Sequence, residues 1–519
     1  MKNQTILIRG KQLIINPNPI TKKVYLELKP PSLNNNKGVI DRLKEALHKD
    51  FPNITVPLPL MDAIARACHN SKWRVTVTVA DTAPCHKIIG IEEGQELDKH
   101  CGLAIDIGTT TVVVYLVDLA SGDILGVESD YNQQVIHGED ILSRIHFASS
   151  PENLAQLTQA IVSTLNVLIN SLCMDAGITN NQISGAVIGG NTTMIHLLLG
   201  LSPTHLCREP YLPTVNQPGF LQARELNIAI NPFGIIYCIP SIGSYVGGDA
   251  VAGILVSEMH KRDTISIIVD IGTNGEILLG NNQWLVACAG AAGPALEGGV
   301  VSSGIRAEAG AIDSIQIDGR TRKVRYTTIG NEKPKGICGS GLVDAVAELF
   351  INRIIDSSGR FKDDSKEYTV VKAEDTAHGQ DIIITQIDIR NLLRTKAAVN
   401  ASLEVLLESV GCSLADIQDF YAAGAFGNYI NPESAITMGL YPDMPREKIH
   451  LIGNSSVEGA RAALLDKEKI KELEEIVKNI TYFEIGTHGK FMSKFTAGLF
   501  MPHSNLDCYP TVKQKLKGN

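Results

Sequence analysis

Two short stretches of this 519-residue chain carry the residues best suited to chemistry, Asp106-Ile107-Gly108-Thr109-Thr110-Thr111 and Asp270-Ile271-Gly272-Thr273-Asn274-Gly275-Glu276. Each follows an aliphatic run and is followed by another, so each reads as a strand, a Gly-Thr turn and a returning strand. Such a turn leaves backbone N–H groups at its mouth. Gly108 and Gly272 let that backbone approach a ligand closely, and the hydroxyls of Thr109, Thr110 and Thr111 add donors. A concavity of this kind suits phosphate oxygens. The strand-end carboxylates Asp106 and Asp270 would repel phosphate unless a cation stood between them. Mg²⁺, which keeps several waters and takes one or two carboxylates, meets that need. One copy is no more than a plain hairpin turn. Two copies predict a clamp, with the hairpins facing each other across a cleft and sharing a metal-bound phosphate chain. Glu276 is read either as the holder of a metal-bound water or as a solvated hairpin residue.

The elements around the hairpins follow from periodicity. Residues 1 to about 100 contain Pro-rich stretches around short β runs, a helix at about 37–49, and an alternating strand at 73–80, which together read as a small α+β module. From Gly102 onward β and α patterns alternate. A helix over 151–176 is expected from a Ser150 cap, Pro151 at the first helical position and Gly177 as the stop. Its Leu154, Leu157, Ile161, Leu165, Leu168 and Leu172 share one face and belong to a core. The strand 186–188 runs into Gly189-Gly190-Asn191. Phe420–Asn428 repeats a strand, a glycine turn and an Asn. Two halves, each with an Asp-Ile-Gly-Thr hairpin and a later strand–glycine–Asn turn, point to an internal duplication.

Composition narrows the partners. With 44% hydrophobic residues, 20% charged, 46 glycines and a net charge of −9, the chain is ordinary for a globular protein. The negative balance argues against nucleic acid or an anionic membrane surface as the main partner. No uninterrupted apolar run reaches the roughly 18 residues that span a bilayer. The first residues lack a signal-peptide core, so a cytoplasmic protein is expected. Ten cysteines are scattered singly, without C-x-x-C or ferredoxin spacing, and read as buried reduced thiols. There is no G-x-x-x-x-G-K-[ST], and no dinucleotide glycine fingerprint follows a first βα turn.

With these motifs in place a resemblance emerges. Leu103–Leu119 and Ile267–Leu279 are similar to the two phosphate motifs of the ASKHA superfamily of acetate and sugar kinases, heat-shock chaperones and actin. Phe420–Asn428 resembles its adenosine motif, which implies that Gly424, Ala425, Phe426 and Gly427 lie against the purine. Gly243–Ile254, with Gly247 and Gly248, and Gly453–Leu464 resemble its two connecting helices. The resemblance implies bound ATP and Mg²⁺ and an α/β fold of two duplicated RNase H-like lobes, at 101–260 and 261–519, behind the module at 1–100. The C-terminus is expected to return to the first lobe. Asp249 stands where the superfamily places a polar residue near the attacking water; a helix N-cap explains it equally. Asp140 and Arg144 are read either as reaching the cleft or as a surface helix start.

A closer likeness is to the reductive activators of corrinoid proteins. It is carried by GLAIDIGTTTVVVYLVDL, GEDILSRI, VIGGNTTMIHLLLG, PSIGSYVGGDAVAGIL, GAAGPALEGG, GICGSGLVDAVAEL and FTAGLFMPH, with KVYLELKPPSL resembling that family's middle domain. The likeness implies a homodimeric ATPase that helps reduce cobalt(II) to cobalt(I) in the corrinoid protein of a methyltransferase system. The family's usual ferredoxin-like domain has no counterpart here. That implies either its removal or a separate ferredoxin-type electron donor, and no iron–sulfur cluster is expected in this chain. The cobalt-ligating D-x-H-x-x-G is absent, so the chain is not itself the corrinoid carrier. Two alternatives stand beside this reading. One is an activator of radical dehydratases with Cys338 or Cys288 holding a shared cluster; the other is a small-molecule kinase.

Overall fold

The computed structural model describes residues 10–518 apart from 83–84, 273–274, 291–292, 298–299 and 487. Two units divide the chain, one built from Gln12–Leu255 with Ser456–Lys478, the other mainly from Val256–Ser455 with Asn479–Asn519.

The first unit begins with the α+β module. Strand β1 (Thr21–Glu27), helices α1 (Val39–Leu47) and α2 (Leu58–Asn70), and strands β2 (Arg74–Ala80) and β3 (Lys87–Glu93) follow in order. The three strands pair antiparallel in the order β1-β2-β3. Leu43, Leu47, Ile64, Val75, Val77, Val79 and Ile88 form the module's core. Helix α2 is a second helix in the module, beside the one expected at about 37–49, and it begins in a Pro-rich stretch. Pro57 caps it and Pro59 lies in the first turn, where a missing N–H leaves no intrahelical bond unmade.

The first lobe then builds its sheet from β4 (Cys101–Ile107), β5 (Thr111–Asp118) and β6 (Ile124–Tyr131) as an antiparallel meander. Helices α3 (Ile141–Phe147) and α4 (Pro151–Ala176) lead to β7 (Ile183–Gly190), α5 (Thr192–Leu198), β8 (Phe220–Gln222), β9 (Ile235–Cys238) and α6 (Gly248–Ser257). Strand β7 is parallel to β4, and β9 is parallel to β7, giving the order β6-β5-β4-β7-β9-β8. Helix α4 has the predicted bounds. The Ser150 hydroxyl accepts from the Asn153 N–H at 3.3 Å, and Gly177 ends the helix at φ 61°. By length and composition α4 is apolar enough to cross a membrane, which counting uninterrupted apolar runs overlooks. Half of that stretch is buried in the protein, where Leu157, Ile161, Leu165, Leu168 and Leu172 pack in the lobe's core.

The second unit repeats the plan. Strands β10 (Ser266–Ile271), β11 (Gly275–Gly280) and β12 (Leu285–Gly290) form a meander. The insertion that follows holds β13 (Ala311–Ile317), β14 (Val324–Thr328), β15 (Gly336–Ile337), α7 (Gly339–Ile351), β16 (Glu367–Val371), β17 (Ile382–Thr385) and α8 (Gln386–Ser409). The fold returns to the main sheet with β18 (Asp419–Ala423), α9 (Gly424–Tyr429), α10 (Pro432–Met438) and β19 (Ile449–Gly453). Helices α11 (Ser455–Leu465) and α12 (Lys467–Asn479), strand β20 (Ile480–Tyr482), and helices α13 (Phe491–Gly498) and α14 (Pro510–Gly518) complete the chain. The sheet order is β19-β18-β10-β11-β12-β20, with β18 parallel to β10 and β19 parallel to β18. With the edge strands β8 and β20 set aside and numbering restarted in each half, both sheets have the strand order 3-2-1-4-5, so the duplication suggested by the motifs is a duplication of topology. In the second unit the fully buried Lys396 of α8 donates to the carbonyls of Gly498, Phe500 and Pro502, matching three ammonium hydrogens to three acceptors.

Candidate nucleotide and metal site

The first hairpin sits at the head of β4 and β5. Its Gly108 N–H donates to Thr111 O at 2.9 Å, and a methyl group added at Gly108 would stand 2.7 Å from that same oxygen. Only glycine fits this turn. Two asparagines hold it from outside. The buried Asn132 donates from Nδ2 to Gly108 O at 3.0 Å and from its backbone N–H to Thr110 O at 2.8 Å. Asn191, which caps α5 by accepting from Met194 N–H, donates to Thr109 Oγ1 at 3.1 Å. In register, Asp106 lies opposite Gly189 of β7 and Ile107 opposite Gly190. The motif reading included neither asparagine among the site residues. The Asn191 cap was available as a signal, because Asn before an apolar helix is a common start.

Gly247 and Gly248 bring the start of α6 to this turn. A methyl at Gly247 would stand 2.4 Å from Asn191 Cα and 2.7 Å from Asp249 Oδ1; one at Gly248 would stand 2.5 Å from Ile239 O. Backbone thus touches backbone here, and Asp249 is delivered to the first turn of α6 rather than to its cap. Its Oδ1 accepts the Ala250 N–H at 2.8 Å. Enclosure, and then the negative charge of Asp106, push the Asp249 carboxyl up to about 7.

The second hairpin stands at the head of β10 and β11, one residue shorter in register: Ile271 pairs with Gly275 where Ile107 pairs with Val112. Asp270 and Glu276 are direct partners in the antiparallel ladder, so their side chains share one face of the sheet. On its other side β10 runs parallel to β18, with Asp270 opposite Ala423. The chain then enters α9 at Gly424, so the expected glycine turn is the first residue of a short helix. Gly424 has φ 77°, and a methyl there would stand 2.3 Å from Asp270 Oδ1. Gly427 packs on Ala422 within the same unit. Thr273 and Asn274 lie outside the described residues, as do the side chains of Ala425 and Phe426.

Each hairpin therefore carries two neighbouring carboxylates, Asp106 with Asp249 and Asp270 with Glu276. Like charges on one face repel, and a divalent cation between them and a phosphate chain removes that repulsion. Among the described residues no cluster of three or more His, Cys, Asp and Glu is placed to hold a metal. Pairs of carboxylates completed by phosphate oxygens fit Mg²⁺, which seldom takes an all-protein cage.

The remaining candidates sort by burial. Asp140 is the cap of α3, accepting from Ser143 N–H at 2.8 Å, which settles it as a helix start. Arg144 is fully buried and not a surface residue; its guanidinium donates to Gly138 O at 2.9 Å and Gln134 Oε1 at 3.2 Å. Cys288 and Cys338 are both buried, and burial pushes both thiols up, away from the thiolate a metal ligand requires.

A doubled 3-2-1-4-5 sheet, with an acidic glycine hairpin heading each copy, defines an ASKHA-type protein. Comparison with known proteins agrees with the fold and narrows it. Residues 264–513 match the family described as the C-terminal domain of RACo, the ASKHA domain; residues 101–262 match the RACo middle region, and residues 10–98 the RACo linker region. The N-terminal likeness read as middle-type thus falls on the stretch matched as linker. The corrinoid activation enzyme RamQ of Eubacterium limosum is 35% identical over 430 residues, covering 79% of this chain and 72% of RamQ. The [Co(II) methylated amine-specific corrinoid protein] reductase of Methanosarcina barkeri is 24% identical over 414 residues, 73% of each chain. The solved structure of a reductive activator for corrinoid, iron-sulfur protein matches at TM-score 0.88 and 39% identity, covering 97% of this chain and 83% of that one. The chain belongs to the family of reductive activators of corrinoid proteins.

Proposed function

We propose that this protein binds ATP with Mg²⁺ and uses its hydrolysis to drive one-electron reduction of cobalt(II) to cobalt(I) in the corrinoid protein of a methyl-transfer system. The electron comes from a ferredoxin-type donor. The observation that carries the proposal is the acidic glycine hairpin, built twice with a second carboxylate beside each strand-end aspartate, Asp249 of α6 by Asp106 and Glu276 across the ladder from Asp270, in a chain whose relatives act on corrinoid proteins. Mg²⁺, when bound, would screen the carboxylates and the phosphate charge from each other. Asp106 and Asp270 would hold it. The backbone of Gly108–Thr111 and Gly272–Gly275 would receive phosphate oxygens, and the Gly424–Gly427 turn would face the adenosine. Asp249 and Glu276 would orient waters, Asp249 the attacking one. ATP with Mg²⁺ would make contacts at the hairpins that the empty protein lacks, and a ligand that favours one conformation biases partner binding. Action as a cytoplasmic homodimer is part of the proposal and rests on the family likeness.

The test is steady-state phosphate release with a cobalt(II) corrinoid protein titrated in, and the corrinoid spectrum followed after adding a low-potential ferredoxin. Stimulated hydrolysis with appearance of the cobalt(I) spectrum is expected. Phosphate release absent with and without the partner would overturn the ATPase reading. Label passing from γ-labelled ATP to a sugar or acid would replace it with a kinase, and a brown, iron-bearing preparation would favour a dehydratase activator.

A further inference from the structure

We infer that Asn132 is a positioning residue that sets the polarity of the first phosphate hairpin, an inference that rests on the nucleotide reading above. Asn132 follows β6 and lies 24 positions after Gly108 in sequence, yet it bonds to alternate peptide units of the turn. Its side chain takes Gly108 O at 3.0 Å, and its backbone N–H takes Thr110 O at 2.8 Å. In a trans peptide the carbonyl of one residue and the N–H of the next point in opposite directions. Fixing the carbonyls of Gly108 and Thr110 toward Asn132 therefore turns the N–H groups of Thr109 and Thr111 to the opposite side. A hairpin with its carbonyls turned the other way would present oxygen to oxygen and repel an anion. Asn191 adds to this by donating to Thr109 Oγ1, which leaves that hydroxyl's hydrogen to donate elsewhere.

Asn132 is itself held on several sides. Its Oδ1 accepts the Gln134 N–H at 3.1 Å, and its Nδ2 lies 3.3 Å from Gln134 Oε1. Gln134 Oε1 also accepts from the buried Arg144 at 3.2 Å, and Gln134 Nε2 donates to Leu157 O of α4 at 2.9 Å. Asn132, Gln134 and Arg144 are each fully buried. Hydrogen bonds on both polar atoms of the Asn132 amide and on both of the Gln134 amide restrict each buried side chain to one orientation. The network therefore locks one rotamer of Asn132, and Asn132 locks one polarity of the turn. This also gives the GEDILSRI motif a role the sequence reading left open: its arginine underpins the hairpin from inside the protein.

The experiment measures equilibrium binding of Mg²⁺·ATP and of AMP to the full chain and to the variants Asn132→Ala and Asn132→Asp, with thermal melting alongside. Asn132→Asp keeps the acceptor for Gln134 N–H, removes the donor to Gly108 O and adds a buried charge, whereas Asn132→Ala removes the donor without adding charge, so the two are read together. Asn166→Ala is the control. That amide bridges the backbone at Asn227 O (3.0 Å) and Ala229 N (2.7 Å) in the same unit, away from the hairpin. Both Asn132 variants are expected to weaken ATP at least tenfold while AMP changes less than twofold, and Asn166→Ala is expected to leave both affinities unchanged. Equal weakening of ATP and AMP, or an ATP affinity unchanged in Asn132→Asp, overturns the positioning role. Failure of the unmodified chain to bind ATP overturns the nucleotide reading instead.

Discussion

The Cα of Gly424 and the carboxylate of Asp270 are so close that any side chain on the former would collide with the latter. A β-carbon at Gly424 would lie 2.3 Å from Asp270 Oδ1, and the φ of 77° already disfavours one. The glycine that begins α9 is thus also a wall against the second strand-end carboxylate. Gly424→Ala forces that carboxylate aside and places alanine in the left-handed region, at a cost of about 1–2 kcal/mol. The expected outcome is a melting temperature lower by a few degrees and Mg²⁺-dependent ATP binding at least tenfold weaker by calorimetry. Unchanged Mg²⁺·ATP affinity would remove Asp270 from the metal site.

The paired carboxylates make a second prediction. Without a divalent cation, Asp106 against Asp249 and Asp270 against Glu276 are repulsive pairs, and the cross-strand pair costs about 0.2–1 kcal/mol. Asp106→Asn and Asp270→Asn should therefore melt slightly higher than the unmodified chain in EDTA. Mg²⁺ with ATP should raise the melting temperature of the unmodified chain and much less that of either variant. Phosphate release should be abolished in both. Scanning calorimetry and a phosphate assay suffice, and normal turnover in either variant would refute its carboxylate's assignment.

What could be read from the residues alone was whatever depends on near neighbours in sequence. The hairpins show because the same Asp-Ile-Gly-Thr occurs twice, each time within four positions, and the bounds of α4 show because Ser150, Pro151 and Gly177 act locally. Helix α2 was hidden by its own prolines, which in sequence look like breakers and in the fold occupy the cap and first turn. Phe420–Asn428 promised a turn after its strand; Gly424 instead begins a helix, since a glycine at a strand end is compatible with both. Asn132 goes unread in the sequence and Arg144 reads as a cleft or surface residue, because their roles lie in contacts to residues 24 and 10 positions away respectively. Repetition, by contrast, was legible at long range, since two copies of one topology need the same residues at the same corners.

His100 makes the first unit acid-sensitive. It is buried where the module meets the lobe, with Nε2 at 3.0 Å from both Thr21 Oγ1 and Ser184 Oγ. Burial, and then the positive charge of Lys23, pull its imidazole down to about 4, while Asp118 acts weakly the other way. In the unfolded chain it titrates near 6.5. Between those values the unfolded state binds the extra proton, so stability is full above about 6.5 and falls as pH drops toward 4, by up to about 3 kcal/mol. His100→Gln keeps a hydrogen-bonding side chain and removes the titration. Melting temperatures measured between pH 7 and pH 4.5 should fall less steeply in that variant, and parallel slopes would show that other groups govern acid lability.

The last prediction concerns the helices that follow the two sheets. A methyl at Gly459 of α11 would stand 2.6 Å from Ala252 Cβ and 3.0 Å from Ala252 Cα of α6, so these two helices meet with almost no side chain between them. Overpacking such a contact typically costs 1–3 kcal/mol. Gly459→Ala should therefore lower the melting temperature despite the better helix propensity of alanine, which by itself would stabilise by about 1 kcal/mol. If the cause is this one contact, moving the missing methyl to the other helix should relieve it. The exchange Ala252→Gly with Gly459→Ala should then recover most of the loss, although Ala252→Gly alone also destabilises by about 1 kcal/mol. A double variant no more stable than the sum of its single changes would mean that the helices do not depend on this close approach. Recovery would mark the contact between Gly459 and Ala252 as the one that sets how closely α6 and α11 pack.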